Sequence, residues 1–513
     1  MIMAYTLFAA IDVGSNDVSM KIYQISASKG IKTLDYVSQY LALGRDTFRI
    51  GKISYELVEE LCQVLLRFKE KMKEYKVTEY LAYGSTAIRE AANREVILDQ
   101  IALRTGLSVR IVSNSERHYL MYKGIASHTS DFNAVIQKDT AILDMGAGSV
   151  QISIFDKQAL AVSQKLRIGA MRVQGLLENE QERVSGFQDM IEEYIGNELS
   201  TFENFYMKDH AIKNIIAVGD EISALVKLVP ELAIKKSVTQ EQINMIYERV
   251  QHIKPQHMSM KYGIPVEVAN LLLPAVIVYK MFLDRSKAEL IWTPGIDLCD
   301  AIAADYADQK KKVVLNHNFE EDILSISKNL AKRYHCNKTH INDVMVIALE
   351  IFDRMKKIHG LNKRSRLLLQ LAVILHDCGK YVNMNSGGAD GYNIIMGTEI
   401  IGLSHKERQL VANLVKYNTV WLPSYDRIEG EISREEYILI SKLTAILRVA
   451  NALDRSHKQK ITKIKVSLSE NKLVLSTDAM EDISLEKALF KSKADFFEEV
   501  YGIRPMIKQR RSF

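Results

Sequence analysis

Two stretches of this 513-residue chain end an apolar run in an aspartate and a glycine-rich turn. The first is Phe8-Ala9-Ala10-Ile11-Asp12-Val13-Gly14-Ser15-Asn16-Asp17. The second is Thr140-Ala141-Ile142-Leu143-Asp144-Met145-Gly146-Ala147-Gly148-Ser149. The apolar residues suit a buried strand. In the turn, glycine tolerates φ > 0, and serine and asparagine bond back to the local backbone. Such a turn offers backbone N–H groups, small hydroxyl or amide donors and one carboxylate, the parts needed to hold a phosphate and its Mg²⁺. Gly14, Ser15 and Asn16, with Gly146, Gly148 and Ser149, are therefore candidate phosphate ligands. Asp144, and Asp12 through water, are candidate Mg²⁺ ligands. A single Asp-x-Gly turn is usually a plain hairpin. Two copies, each ending one strand and starting another, point to a duplicated domain with a phosphate site between its halves.

The flanking pattern supplies the elements that position these turns. Val18, Met20 and Ile22 alternate with Ser19, Lys21 and Tyr23, and residues 151–155 alternate likewise, so each turn leads into a second strand. Leu57, Leu61, Val64, Leu65 and Phe68 recur at helical spacing within 54–75. Residues 80–83 read as a strand that turns into a helix at Gly84-Ser85-Thr86-Ala87-Ile88-Arg89-Glu90-Ala91. Arg89 falls on the first turn of that helix, where N–H groups attract anions and a guanidinium can grip phosphate bidentately. Residues 109–113 read as a short strand, 114–124 as the start of a helix, and 215–220 as a strand and turn containing Gly219. Residues 305–318 are polar and lysine-rich and read as a linker; Asn318 with Glu321 then starts a capped helix. Nearly all that follows has a helical pattern, until alternation at Ile464, Val466 and Leu468 and at Leu473 and Leu475 marks a hairpin, with a helix through Phe496.

The two aspartate turns resemble the phosphate loops of the actin and sugar kinase superfamily. With the neighbouring segments they resemble more specifically the exopolyphosphatase and guanosine pentaphosphate phosphatase family. That family has Thr-Ser-Ala-x-Arg-Glu-Ala where this chain has Ser85-Thr86-Ala87-Ile88-Arg89-Glu90-Ala91, which implies a phosphate-binding role for Arg89. Leu166, Gly169, Ala170 and Arg172 match its Leu-Gly-Ala-x-Arg segment, and Gly219 matches one of two glycines in a later phosphate turn. Other positions depart. The family's Ser-Gly-x-Glu-Glu-Ala, whose second glutamate is its catalytic base, is Ser113-Asn114-Ser115-Glu116-Arg117-His118 here. Arg117 thus stands at the base position, and Glu116 matches the first glutamate. The family's Asp-x-Gly-Gly-Gly-Ser-x-Glu is Asp144 to Gln151, with Ala147 for a glycine and Gln151 for the second glutamate. Arg117 stays protonated and cannot act as a base; Gln151 can orient a water but cannot take its proton. Glu116, Arg117 and Gln151 are the candidate catalytic positions.

His376-Asp377, closing the apolar helix 367–375, resembles the His-Asp doublet of the HD metal phosphohydrolase domain, which the family often carries C-terminally. Adjacent His and Asp supply one imidazole and one carboxylate to a divalent metal, and His340 is a candidate remote ligand. The remaining ligand positions fall near Asp390 and Asn418 and at Asn451, with Asp454 one turn away. The resemblance implies a second, weak metal site at His340, His376 and Asp377, or a purely structural fold.

Composition bounds the reading. The 47% apolar and 26% charged content is that of an ordinary globular chain, and its length suits roughly three to four domains. A net charge of +5 suits a polyanionic substrate and does not argue for nucleic acid. The clusters Lys310-Lys311-Lys312, Lys363-Arg364 with Arg366, and Arg510-Arg511 read as solvated faces or a tail. Four scattered cysteines without Cys-x-x-Cys argue against a disulfide or zinc framework and fit a reducing cytoplasm. The N-terminus lacks signal-peptide features. The most apolar helical stretch, 269–279, contains Pro274 and is too short to span a bilayer, so no membrane partner is expected.

The expected fold is α/β: two actin-like (ribonuclease H-like) subdomains at 1–125 and 126–305, a mainly helical HD-like domain at 306–460, and a small α/β tail at 461–513. The expected function is Mg²⁺-dependent hydrolysis of terminal phosphoanhydride bonds in polyphosphate or guanosine pentaphosphate, slowed by Arg117 and Gln151. The alternative is a non-catalytic sensor of guanosine tetra- or pentaphosphate or polyphosphate. A sugar kinase is disfavoured by the C-terminal module and the Arg89 segment. The family resemblance implies a homodimer.

Overall fold

The computed structural model describes residues 5–129, 132–146, 148–177, 186–229, 235–469, 471–479 and 481–510. The chain divides into two compact units, Met1–Asp322 and Ile323–Phe513. The first unit is built on two sheets. Strands β1 (Thr6–Val13), β2 (Asp17–Ser26), β3 (Gly30–Tyr40), β4 (Glu79–Gly84) and β5 (Val109–Ile111) lie in the order β3-β2-β1-β4-β5. Strands β6 (Thr140–Gly146), β7 (Ser149–Asp156), β8 (Ala159–Leu166), β9 (Asn214–Val218), β10 (Ser237–Thr239) and β11 (Leu290–Trp292) lie in the order β8-β7-β6-β9-β11-β10. Both begin as an antiparallel meander of three, and the first strand of each then takes a parallel neighbour, β4 beside β1 and β9 beside β6. The duplication inferred from the two turns is thus present in the topology, and each turn leaves the central strand of its own sheet.

The apolar runs are continuous because both faces of these strands are covered. Ala9, Ile11 and Val13 pack into a core with Leu61, Leu65 and Phe68 of the helix Tyr55–Glu74. Phe8 stacks on Tyr306 at 4.1 Å, and Cys299 Sγ donates to the Ala10 carbonyl, so the helix Leu298–Gln309 covers the other face. Burying a Phe or Ile side chain contributes about 1.5–3 kcal/mol. In the second sheet Leu143, Ile152 and Ile154 join a core with Ile277, Val278 and Phe282 of the helix Leu272–Arg285.

The second unit is mainly helical, with Lys338–Arg354, Lys363–Leu375, His405–Thr419 and Arg434–Ala452 as its longer helices. It closes with a three-stranded sheet, β12 (Ile461–Ser469), β13 (Lys472–Ala479) and β14 (Arg504–Arg510), crossed over by the helix Ser484–Tyr501. Among the described residues no helix is long and apolar enough to cross a membrane, and all four cysteines are unpaired.

Three local expectations change. The linker expected from 305 begins later, because residues up to Gln309 complete a helix that buries Ala303, Ala304 and Ala307 and pairs Asp305 with Lys123 at 2.8 Å. The strand expected over 109–113 ends at Ile111, since Ser113 becomes the N-cap of the helix Asn114–His128. Strands β3, β8 and β14 add to the hairpins that alternation revealed.

Candidate functional site

The two aspartate turns open onto one cleft of about 60 Å³ in the first unit. Gly14, Ser15 and Asn16 line it from the first turn, and Gly146, Gly148 and Ser149 from the second. The first turn is closed by Gly14 N–H donating to the Asp17 carbonyl at 3.0 Å. Two glycines let the backbone pack this tightly. A Cβ on Gly169 would lie 2.1 Å from Ser149 N, and one on Gly219 would lie 2.4 Å from the Met145 carbonyl. Gly219 also has φ +121°, a region side-chain-bearing residues rarely occupy. It does not line the cleft but turns β9 into the helix Asp220–Lys227, which brings Asp220 and Glu221 to the cleft wall.

The predicted catalytic positions separate. Arg117 lines the cleft, and its Nη1 lies 2.6 Å from Asp144 Oδ2. Glu116 does not line it. Glu116 Oε2 accepts from Ser113 N–H at 2.9 Å while Ser113 Oγ accepts from Glu116 N–H at 3.2 Å, a capping box. The Ser-x-x-Glu spacing that signals such a box is in the sequence at 113–116. Gln151 sits opposite Asp144 on β7, is 1% exposed, and donates through Nε2 to Ser163 Oγ at 2.6 Å, in a buried network with Ser153. Arg89 also stands back from the cleft. Its guanidinium donates to the Val112 carbonyl (3.0 Å), Thr86 Oγ1 (3.0 Å) and Asn114 Oδ1 (2.7 Å). Thr86 and Asn114 do line the cleft, so Arg89 braces its wall. Ala147 lies outside the described residues.

Several lining residues had no motif to announce them. His118 lines the cleft with its Nδ1 2.6 Å from Asp144 Oδ2. Asp17, Asp220 and Glu221 join Asp12 as lining carboxylates. Burial, then Asp17, pushes the Asp12 carboxyl well above its usual range. Burial and the neighbouring Asp220 and Asp297 push Asp17 up to about 7. Burial and Asp220 push Glu221 up to about 8. Asp144 behaves oppositely: burial pushes it up, but the charges of Arg117 and His118 outweigh that and hold it below the ordinary range.

The residues present fit a divalent cation. Asp12 Oδ1, Asn16 Oδ1 and Asp144 Oδ1 are buried and accept no hydrogen bond. A buried carboxylate oxygen without a partner is costly, and several carboxylates crowded together without counter-charge raise one another. Hard oxygen ligands of this kind suit Mg²⁺.

In the second unit, His340, His376 and Asp377 converge, with one ligand atom from each lying within 4.8 Å of the others. All three are buried. His340 Nδ1 lies 2.7 Å from Asp454 Oδ2, and His376 Nδ1 lies 2.7 Å from the Val373 carbonyl. Each Nδ1 is thus turned to an acceptor, and the two Nε2 atoms face each other at 3.2 Å. Asp377 Oδ1 is 3.4 Å from His376 Nε2, and Asn451 Oδ1 is 3.1 Å from His340 Nε2. Asp454 therefore orients a histidine, while Asn451 stands close to the nitrogens. Asp390 is held by Ser386, and both amide atoms of Asn418 are buried without a hydrogen bond.

The chain is 21% identical over 500 residues to the guanosine-5'-triphosphate,3'-diphosphate pyrophosphatase of Photobacterium profundum, covering 92% of each. It is 19% identical over 483 residues to the protein of that name from Vibrio atlanticus, covering 92% of this chain and 91% of that one. In fold it matches the Ppx/GppA family member of Aquifex aeolicus, with TM-score 0.50 at 20% identity, over 61% of this chain and 100% of that one. It also matches an exopolyphosphatase from Cytophaga hutchinsonii, with TM-score 0.53 at 17% identity, over 60% and 99%. Residues 324–493 match the model of Ppx/GppA phosphatase domain III. Residues 21–292, which include the second sheet and the second aspartate turn, match the model of the Ppx/GppA phosphatase family, and the chain belongs to that family.

Proposed function

We propose that this chain binds the terminal phosphates of inorganic polyphosphate or guanosine pentaphosphate with Mg²⁺ and hydrolyses the terminal phosphoanhydride slowly. The observation that carries the reading is the cleft itself: two duplicated turns, the buried and partnerless Asp12 Oδ1, and Arg117 and His118 on its wall, both held by Asp144. Asp12 and Asp144 would hold the ion, which neutralises charge on the transferring phosphoryl group when bound. The turn N–H groups with Ser15, Asn16 and Ser149 would hold the phosphate oxygens, and Arg117 would offset their charge. Phosphoryl transfer depends mainly on positioning and electrostatics, so loss of the base slows the reaction without abolishing it. The orienting of water would fall to His118, whose ring Asp144 holds. A phosphate-release assay with Mg²⁺ over polyphosphate, guanosine pentaphosphate and nucleoside triphosphates tests this; no release from any of them refutes it.

One observation favours the sensor reading instead. Neither Glu116 nor Gln151 lines the cleft: one caps a helix and the other is tied into a buried network. Tight binding of guanosine tetra- or pentaphosphate or polyphosphate without turnover would select it. The second unit is proposed as HD-like, with a second metal at His340, His376 and Asp377. With each Nδ1 engaged by an acceptor, the two Nε2 atoms and the Asp377 carboxylate are the groups that would ligate it. A division of the first unit into two subdomains and of the second into a helical part and a small α/β tail, a cytoplasmic location and a homodimer complete the proposal.

A further inference from the structure

The charges at the cleft are unequally matched. Asp12, Asp17, Asp220 and Glu221 line it as carboxylates, and Arg117 is the one arginine among the described lining residues. Asp144 Oδ2 takes both Arg117 Nη1 and His118 Nδ1 at 2.6 Å, while Oδ1 is buried without a partner. The Arg117 side chain is 18% exposed and that of Asp144 1%, so water screens neither charge fully. A divalent cation arriving alone at Asp144 Oδ1 shares that single carboxylate with the guanidinium, whose charge weakens its hold there. A phosphate arriving alone meets four carboxylates. Each ligand removes the obstacle to the other, because a phosphate between cation and guanidinium is attracted to both. The forked guanidinium can hold a carboxylate and a phosphate oxygen together.

We infer that Arg117 makes metal binding conditional on phosphate, so that the divalent cation and the terminal phosphate enter this cleft as a pair. The inference rests on the proposed metal role of Asp144. By linkage the coupling is reciprocal: phosphate raises metal affinity by the factor by which metal raises phosphate affinity. Here, free Mg²⁺ alone is held more weakly than Mg²⁺ that arrives with phosphate, and the site responds to the two together.

The test is calorimetric titration of the full chain with Mn²⁺, with and without inorganic phosphate. It uses wild type, Arg117→Gln, Arg117→Lys and Asp144→Asn. In wild type, phosphate is expected to raise Mn²⁺ affinity by about 10-fold, within the usual range of such couplings. Arg117→Gln is expected to bind Mn²⁺ about 10-fold tighter than wild type without phosphate, and to gain little from phosphate. Arg117→Lys keeps the charge but not the fork, and should bind Mn²⁺ alone as weakly as wild type while gaining less from phosphate. Should Arg117→Gln unfold without metal, its recovery by Mn²⁺, read as a rise in Tm, supports the inference; failure to recover, with no phosphate-dependent gain in wild type, overturns it. If Asp144→Asn weakens Mn²⁺ binding but Arg117→Gln equals wild type throughout, the inference is overturned while the metal reading stands. If Asp144→Asn binds Mn²⁺ as wild type does, the metal reading falls, and the inference with it.

Discussion

Arg117 Nη1 lies 2.6 Å from Asp144 Oδ2, so the residue at the family's base position is the buried counter-ion of the strand-end aspartate. Removing one partner of a buried pair leaves an uncompensated charge, at a cost of about 3–5 kcal/mol. Asp144→Ala is therefore expected to lower Tm clearly and to abolish Mg²⁺-dependent phosphate binding. Asp156, at the far end of β7, is half-buried and contributes nothing to the cleft. Asp156→Ala should leave binding intact. Calorimetry and thermal melting of both variants check this, and Mg²⁺-dependent binding retained in Asp144→Ala would place the ion elsewhere.

The raised carboxyls give a pH dependence with a definite sign. Burial, reinforced by Asp220 and Asp297, pushes Asp17 up to about 7, whereas in the unfolded chain an aspartate titrates near ~3.9. Between these values the folded protein keeps a proton that the unfolded chain has lost, so Asp17 lowers stability as pH rises through this window. The buried His376, lowered by desolvation, acts in the opposite sense, so the comparison is between wild type and Asp17→Asn. In EDTA, Asp17→Asn is expected to gain stability relative to wild type from pH 5 to pH 8, by on the order of 1–2 kcal/mol. Mg²⁺ should shrink that gain. A difference that does not change with pH contradicts the assignment.

Backbone closeness around the second turn is equally testable. Gly169→Ala puts a methyl 2.1 Å from Ser149 N, where backbone cannot yield cheaply. Denaturation should show a loss above about 2 kcal/mol, with phosphate affinity falling as the turn shifts. Gly175→Ala, within the helix Ala170–Leu177 and with nothing within 4 Å of its Cβ, is the control and should raise stability by up to about 1 kcal/mol while leaving phosphate affinity unchanged.

For the second unit, His376→Ala should remove a bound transition metal, measured by elemental analysis of protein purified with Mn²⁺ or Zn²⁺. Asp454→Asn should weaken that metal by about 10–100-fold, because Asp454 fixes the His340 ring. Wild type that holds no metal leaves the cluster structural.

Much of this is legible because local chemistry is written locally. The two aspartate turns and their strands follow from apolar runs, glycine and spacing, and the His376-Asp377 doublet from its resemblance to that of the HD domain. What escapes depends on tertiary approach. His118 and Asp220 carry no signature, and reach the cleft because one helix start and one turn are aimed at it. Glu116 is the instructive miss. The family motif makes it a catalytic candidate, yet Ser113-x-x-Glu116 is a capping box in its own right, and the backbone claims the carboxylate. Arg89 likewise has the right type and place for a phosphate ligand, but the Val112 carbonyl and two side chains take its donors.

The most direct test is single-turnover phosphate release from polyphosphate and guanosine pentaphosphate, with Mg²⁺, by wild type and Arg117→Glu. A general base commonly contributes ~10²–10⁴-fold. Wild type is expected to release phosphate slowly, and Arg117→Glu to release it faster, by up to that factor, while binding substrate more weakly. Phosphate release by neither protein from either substrate, at concentrations where both bind, contradicts hydrolysis as the function of this cleft.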